Sequence, residues 1–358
     1  MLTIIIFIII LGVLVFVHEL GHFLVAKRNG VRVEEFGFGF PPRIFGVKRG
    51  ETIYSINAIP LGGFVKILGE DGQEKNDPRS FSAKKIWRRA LILVAGVSMN
   101  IIFAIFLLSA GNIIGLPTAV ADNQNVQSAK VQILQVASQS PAQAAGLKSG
   151  DTVIKMSSAK SDLPDINEVT QVQNFSDQNK GQEIALTVKR GNETLTVKLT
   201  PRVNPPAGEG ALGVELARIA YVSLPWYKAI YDAITSTFSL VWLILQALGS
   251  LLWQLVSQGK VSADITGPVG IYNLTGQAAQ MGFVYVLQLT VLLSINLAII
   301  NILPFPALDG GRLFFLLIEK IKGSPINQRI EKAVNSAGFA FLILLMVLIT
   351  IRDVIKLF

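Results

Sequence analysis

The chain has 358 residues, 51% of them hydrophobic and 16% charged, with a formal net charge of +8. Soluble domains carry about a quarter charged residues, so this composition, with a mean hydropathy of +0.51, predicts a membrane protein. The absence of cysteine excludes disulfides, thiolate metal ligands and a cysteine nucleophile. Much of the positive charge lies in residues 27–89, which suits a cytoplasmic loop better than a DNA-binding face. We therefore expect no nucleic-acid partner.

The first apolar run, residues 2–26, is long enough to cross a hydrocarbon core of about 30 Å. A cleaved signal peptide is the alternative, but no basic residue precedes the run and no small-residue cleavage site closes it. We interpret the run as a retained transmembrane helix. Lys27 and Arg28 mark its cytoplasmic end, which puts the N-terminus outside.

This run contains His18-Glu19-Leu20-Gly21-His22, an H-E-x-x-H pattern. On a helix, the spacing of four places both imidazoles on one face, where they can bind Zn²⁺. Glu19 can then take a proton from the attacking water. The chain has no other histidine. Two buried structural histidines are the alternative, which we disfavour because unpaired polar side chains in a membrane helix are costly.

Residues 29–88 are too polar to cross the membrane. The Phe-Gly-Phe-Gly-Phe-Pro-Pro stretch at 36–42 predicts a turn. Strand-like stretches at 52–59 and 63–68 predict a hairpin joined through residues 60–62. Near a catalytic metal, such a hairpin could pair by its free edge with an extended peptide. An ordinary cytoplasmic hairpin is the alternative.

Residues 90–116 form the second clear spanning segment, in which the small residues Ala95, Gly96 and Ser98 permit close helix packing. From about residue 125 to 202 the composition is that of a soluble domain, with strands predicted at 131–136, 184–188 and 194–199. Residues 140–151 between them resemble the S-P-A-x-x-A-G-L-x-x-G-D signature of bacterial PDZ domains. The Pro- and Gly-rich residues 203–210 predict a linker.

The last third of the chain contains two clear spanning candidates, residues 283–303 and 333–351, and an ambiguous apolar segment at 226–256. The first candidate closes with Asn301-Ile-Leu-Pro-Phe-Pro-Ala-Leu-Asp309-Gly-Gly. A zinc site with two histidines needs a third protein ligand. Since the chain has no cysteine and no third histidine, Asp309 is the best-placed acid. A capping role for Asp309 at the following helix is the alternative.

These motifs resemble the site-2 protease family of intramembrane zinc metalloproteases, and in particular its bacterial, RseP-type branch. The resemblance implies that His18, His22 and Asp309 bind Zn²⁺ and that Glu19 is the general base. It implies that Asn301 positions substrate or polarises the scissile carbonyl. The hairpin, with Gly62, Gly63, Phe64 and Val65, would correspond to the family's membrane-reentrant β-loop, which clamps an unwound substrate helix. Two departures are a single PDZ-like unit, where some relatives carry two, and Val97 where many have proline.

The zinc ligands constrain the topology. If Asp309 ends a helix that runs out-to-in, as the helix of His18 does, no net crossing can occur between the extracytoplasmic PDZ domain and residue 283. We therefore predict that residues 226–256 lie along the outer membrane surface as an amphipathic element.

The sequence thus predicts a polytopic α-helical membrane protein with a membrane-associated β-hairpin at about 36–70 and an inserted α+β PDZ domain at 118–204. Its four transmembrane helices are expected at about 2–26, 90–116, 283–309 and 333–355, with a linker and surface helix at 205–282. We expect a bacterial cytoplasmic (inner) membrane protease for single-span substrates already cleaved once, such as anti-sigma factors or remnant signal peptides. The PDZ domain would contact substrate ends. The rival classes are a catalytically inactive membrane adaptor, which captures protein ends through its PDZ domain, and a metal transporter.

Overall fold

The computed structural model describes residues 2–72, 74, 76–123, 129–191, 193–259 and 266–355, with the backbone alone at Leu61. The helices are α1 (Leu2–Arg28), α2 (Ile86–Ile114), α3 (Pro141–Ala144), α4 (Val169–Gln178), α5 (Trp226–Gln258), α6 (Pro268–Met281), α7 (Phe283–Ile302), α8 (Asp309–Lys322) and α9 (Gln328–Ile355). The strands are β1 (Val33–Arg49), β2 (Thr52–Ile67), β3 (Leu116–Ala119), β4 (Lys130–Val136), β5 (Thr152–Ser158), β6 (Asp162–Leu163), β7 (Ile184–Arg190), β8 (Glu193–Leu199) and β9 (Val214–Val222).

The chain folds into two compact units. The first, here called the helical unit, takes its described residues from Met1–Ser109, Ile230–Thr275 and Gln288–Phe358. The second, called the strand unit, takes them from Ala110–Ala229 and Gly276–Leu287. Each unit is therefore assembled from segments that are distant in the sequence.

Five helices in the described part of the chain are long and apolar enough to cross a membrane: α1, α2, α5, α7 and α9. Helices α1, α2 and α7 are apolar all round, as expected of helices surrounded by lipid and by other helices. The fifth candidate, α5, covers the segment that we predicted to lie on the outer surface. Length and composition alone do not separate these two placements.

In the helical unit, β1 and β2 form a curled antiparallel sheet that differs from the predicted hairpin. The chain reverses at Gly50, between β1 and β2, and β2 continues without interruption through residues 60–62. The predicted turn at 36–42 lies within β1, where the register shifts repeatedly from Phe38 to Arg43. The glycines and prolines there bend a strand instead of ending it, so that Phe36 pairs with both Val65 and Tyr54.

The end of α7 also differs from the prediction. The helix stops at Ile302 instead of continuing to residue 309, because Pro304 and Pro306 lack the amide hydrogens that a helix needs. Asp309 is the first residue of a separate helix, α8. The N-cap residue of α8 is Leu308 and no side chain caps the helix, so the capping role considered for Asp309 is not the one that its side chain takes.

The strand unit contains a seven-stranded antiparallel sheet in the order β3-β9-β4-β5-β7-β8, with β6 paired to β5. Strand β9 lies between β3 and β4, so the sheet extends beyond the predicted domain, residues 118–204, at both ends. The predicted linker folds back as a turn, in which the Arg202 amide donates to the Ala211 carbonyl over 2.8 Å. Residues 124–128, within the predicted domain, lie outside the described residues.

The PDZ-like motif has a local structural basis. Ser140 caps α3, because its Oγ accepts a hydrogen bond from the Gln143 amide over 3.1 Å. The fully buried Asp151 accepts two hydrogen bonds of 2.7 Å from the Arg190 guanidinium. The motif thus joins α3 to β5 and ties β5 to β7.

Candidate metal centre

The close approach of α1 and α2 brings the histidine pair against a second helix. A Cβ on Gly21 would overlap the Ala95 carbonyl oxygen, so the helices can touch here only through glycine. A Cβ on Gly96 would overlap Nε2 of His22 and would lie 2.8 Å from Cε1 of His18. The missing side chains therefore leave the space in which both imidazoles lie.

The two imidazoles are buried, with 7% of His18 and 6% of His22 exposed. His22 Nδ1 lies 2.8 Å from the Ile92 carbonyl oxygen of α2. Since a carbonyl can only accept, Nδ1 carries the proton and Nε2 keeps its lone pair. The two Nε2 atoms lie 3.2 Å apart, so both rings present a nitrogen to the same point.

Asp309 reaches this point from the first turn of α8. Its Oδ2 lies 3.1 Å from His18 Nε2 and 3.2 Å from His22 Nε2. The position depends on Gly310 and Gly311, where a Cβ would overlap the carbonyl oxygens of Ile302 and Phe305. The Gly-Gly pair thus lets α8 pack on the chain that leaves α7 and directs Asp309 towards the histidines.

The three side chains fit a metal ion. Their ligand atoms all lie within 4.8 Å of one another. Oδ2 of Asp309 is buried, and no hydrogen bond satisfies it among the described residues. A buried carboxylate oxygen without a hydrogen bond is costly unless a cation completes it. Two imidazole nitrogens and one carboxylate oxygen form a ligand set that zinc accepts while keeping a position open.

The remaining predicted residues lie on elements close to this centre in sequence or space. Glu19 is partly buried beside His18 on α1, and Asn301 is partly buried in the last turn of α7. Gly62 and Gly63 lie on β2, where it runs close to α1. A Cβ on Gly62 would lie 2.7 Å from the Val15 side chain.

Residues 63–67 of β2 lie at an edge of the curled sheet. Phe64 and Val65 pair with Gly37 and Phe36 of β1 on one side. On the other side, no strand of the described chain pairs with them. This edge is the part of the predicted peptide-pairing surface that the fold leaves open.

Two contributors were not predicted from the sequence. The Ile92 carbonyl is a backbone group, so nothing in the sequence marks it as a partner of His22. Asn100 of α2 is fully buried, and its side-chain amide lies 3.4 Å from His18 Nδ1. The available signal was a polar amide within an apolar spanning segment, which needs a partner there.

Comparison with known proteins shows the family of the chain. The family model described as Peptidase family M50 matches residues 6–345. The chain is 38% identical to a zinc metalloprotease of Clostridium perfringens over 345 residues, which cover 96% of this chain and 95% of that one. It is 32% identical to the regulator of sigma-W protease RasP of Bacillus subtilis, with 99% of each chain covered. A zinc metalloprotease of Fusobacterium nucleatum is 34% identical, with both chains fully covered. The chain therefore belongs to peptidase family M50, the site-2 type of zinc metalloprotease.

Proposed function

We propose that this protein hydrolyses peptide bonds within the membrane, in the transmembrane segments of single-span proteins. The observation that carries the proposal is the approach of Asp309 to His18 and His22, which lie on a helix long and apolar enough to span the membrane. A protease of family M50 with its metal ligands at this depth acts on bonds that water-soluble proteases cannot reach. The name of the Bacillus subtilis relative, regulator of sigma-W protease, supports a role in regulated proteolysis.

In this mechanism His18, His22 and Asp309 hold Zn²⁺. When bound, zinc polarises the scissile carbonyl and makes water a better nucleophile at neutral pH. Glu19, next to His18 on α1, accepts the proton of the attacking water and delivers it to the leaving amine. Asn301, in the last turn of α7, positions the substrate or polarises its carbonyl.

The substrate must be extended before it is cut, because a helix hides its carbonyl groups in backbone hydrogen bonds. We propose that the edge of β2, at Gly63, Phe64 and Val65, pairs with the unwound segment and replaces those bonds. Gly62, close to Val15, keeps this edge beside α1 just before the histidines. This strand-pairing mode would favour substrates whose transmembrane segments already contain residues that weaken a helix.

The substrates would be single-span proteins already shortened by another protease, such as anti-sigma factors or remnant signal peptides. The protein would lie in the bacterial cytoplasmic membrane, with its PDZ-like domain outside. That domain would contact the shortened substrate ends or exclude proteins with large outer domains.

Glu19→Gln tests the proposed mechanism. We expect cleavage of a model transmembrane peptide by the reconstituted protein to fall by about 10²- to 10⁴-fold, the usual contribution of a general base. Zinc content should not change, because Glu19 is not a ligand. The matched control is Glu183→Gln, on an exposed glutamate that pairs with Lys198 on the strand unit.

The adaptor and transporter alternatives predict different results from the cleavage and zinc measurements. Full cleavage by the Glu19→Gln protein would refute the assigned base. Zinc binding without cleavage by the unsubstituted protein would favour an adaptor, and zinc flux into sealed vesicles would favour a transporter.

A further inference from the structure

The two histidines differ in what holds their second ring nitrogen. His22 Nδ1 faces the Ile92 carbonyl oxygen, an obligate acceptor, at 2.8 Å. For His18, the group described at Nδ1 is the side-chain amide of Asn100, with Nδ2 at 3.4 Å. An amide differs from a carbonyl because it carries a donor at one end and an acceptor at the other. Which of the two side chains donates in this contact therefore depends on which end of the amide faces His18.

The requirement for a free lone pair on His18 Nε2 at the metal position determines which end of the Asn100 amide faces His18. His18 Nε2 lies 3.1 Å from Asp309 Oδ2 and faces the metal position, so it must keep its lone pair there. A neutral imidazole with a free Nε2 carries its proton on Nδ1. Nδ1–H facing the Nδ2 amide group would set donor against donor. Turning the amide by 180° exchanges the positions of Nδ2 and Oδ1 and makes the contact a hydrogen bond.

Burial alone does not choose the orientation. Asn100 is fully buried, and its Oδ1 has no hydrogen-bond partner among the described residues. Turning the amide gives Oδ1 a donor but moves Nδ2 into the place that Oδ1 leaves. Since each orientation leaves one amide atom unpaired, the proton on His18 Nδ1 is the deciding interaction.

We propose that Asn100 is a positioning residue of the metal centre. Its Oδ1 accepts the Nδ1–H of His18 and holds that ring in the tautomer whose Nε2 faces the metal, as the Ile92 carbonyl does for His22. The Asn100 backbone supports this role, because Ser294 of α7 donates from its hydroxyl to the Asn100 carbonyl over 2.9 Å. Helix α2 would thus orient both imidazoles of α1, one through a backbone oxygen and one through a side-chain oxygen. This inference rests on the proposed metal ligands.

Three substitutions in the full-length chain test the acceptor. Asn100→Leu keeps the number and branching of the side-chain heavy atoms and removes the oxygen, and we expect zinc affinity to fall by about 10- to 100-fold, as for other partners of metal-bound histidines. Asn100→Asp keeps an acceptor in the same place and should bind zinc at least as tightly as the unsubstituted protein. Ser109→Ala, the matched control, removes the hydrogen bond that another buried polar side chain of α2 donates to the Ile105 carbonyl, and it should leave the affinity within about twofold. Competition with a chromophoric chelator in detergent measures all three.

A second measurement reads the hydrogen bond directly. The chain has only two histidines, so labelling with ¹⁵N-histidine in a protein without a histidine tag yields only four ring-nitrogen resonances. In the zinc-loaded protein, both histidines should be protonated on Nδ1. Asn100→Leu should shift one Nδ1–H signal and leave the other, that of His22, in place. Asn100→Asp should shift the same signal in the direction of a stronger hydrogen bond.

The outcomes separate this inference from the proposed function. An unsubstituted protein that binds no zinc would refute the ligand assignment itself. Zinc binding by folded Asn100→Leu with unchanged affinity and unchanged Nδ1–H signals would overturn the role of Asn100 alone. If the leucine variant does not fold, Asn100→Asp decides. A 10-fold or greater loss of zinc affinity in that variant would overturn the proposal, because its carboxylate is a better acceptor than the amide.

Discussion

Gly96 shows how a single residue without a side chain can determine where two candidate metal ligands lie. Both imidazoles lie where its Cβ would be, and His22 cannot retreat without breaking its 2.8 Å contact with the Ile92 carbonyl. Gly310 and Gly311 have the same role on the other side, where they let Asp309 approach. The three candidate ligands can therefore converge only because three neighbouring positions lack side chains.

Gly96→Ala is therefore expected to lower zinc affinity by more than about 100-fold, even though alanine is the better helix former. The added methyl group must displace the His22 ring, and the ring cannot then keep both its partner and its place. Zinc content after dialysis measures the effect. The matched control is Gly249→Ala in α5, where the new Cβ meets no atom within 4 Å. Unchanged zinc content in Gly96→Ala would contradict the packing described for this site.

At the scale of elements, α5 raises the question of which helices cross the membrane. Helices α1 and α2 run antiparallel, since Gly21 lies against Ala95 and His18 lies beside Asn100. Helix α5 begins beside the end of α2, where Asn112 Nδ2 donates to the Ala229 carbonyl over 3.3 Å.

Helix α6 packs near the start of α1, where Tyr272 lies edge-on to Phe7 with ring centroids 6.0 Å apart. The 33 residues of α5 reach about 50 Å. A helix of this length can cross the hydrocarbon core or lie along its surface, so the placement of α5 on the outer surface stays a prediction.

Single-cysteine labelling tests this placement, because the chain has no cysteine of its own. We expect Gln258→Cys at the end of α5 to react with a membrane-impermeant maleimide added outside intact spheroplasts. Lys320→Cys, in the basic last turn of α8, should react only after the cells are opened. Labelling of Gln258→Cys only in opened cells would show that α5 crosses the membrane.

At the scale of the whole molecule, the strand unit is larger than the insertion that its motif predicts. Among the described residues, its main hydrophobic cluster runs from Val131 to Leu216. Of these, Leu212 is buried, and Val214 and Leu216 pack against the core from beyond the predicted boundary at residue 204. Strand β9 also pairs with β3, which precedes the core in sequence. A cut at the predicted boundary would divide both the core and the sheet.

Two deletions should therefore behave differently. Replacing residues 120–217 with a short Gly-Ser linker removes the whole core and keeps the pairing of β3 with the end of β9. We expect this protein to insert, remain soluble in detergent and retain zinc. Replacing residues 118–204 leaves Leu212, Val214 and Leu216 without partners and should cause aggregation or degradation. Size-exclusion profiles and zinc content compare the two, and equal behaviour would contradict the domain limits inferred from the sheet.

Much of the chemistry was predictable because it depends on local patterns. The i, i+4 spacing places His18 and His22 on one face of any helix, and the lack of cysteine and further histidine left an acid as third ligand. The family match confirms the predicted zinc metalloprotease of the site-2 type. The boundaries near glycine and proline were less predictable. Residues 36–42 and 60–62 bend or continue a strand, whereas Pro304 and Pro306 end a helix.

The sequence by itself determined the class of protein, the candidate ligands and the enzyme family, since composition, spacing and motif identity do not require knowledge of distant contacts. Only the tertiary structure decided what holds the ligands in place. Ile92, Asn100 and Gly96 lie against the histidines from another helix, and Asp309 reaches them across nearly 300 residues of chain. Such contacts depend on which helices pack together and on which residues face each other along them. This packing is set by the whole folded chain, and a local sequence pattern does not specify it.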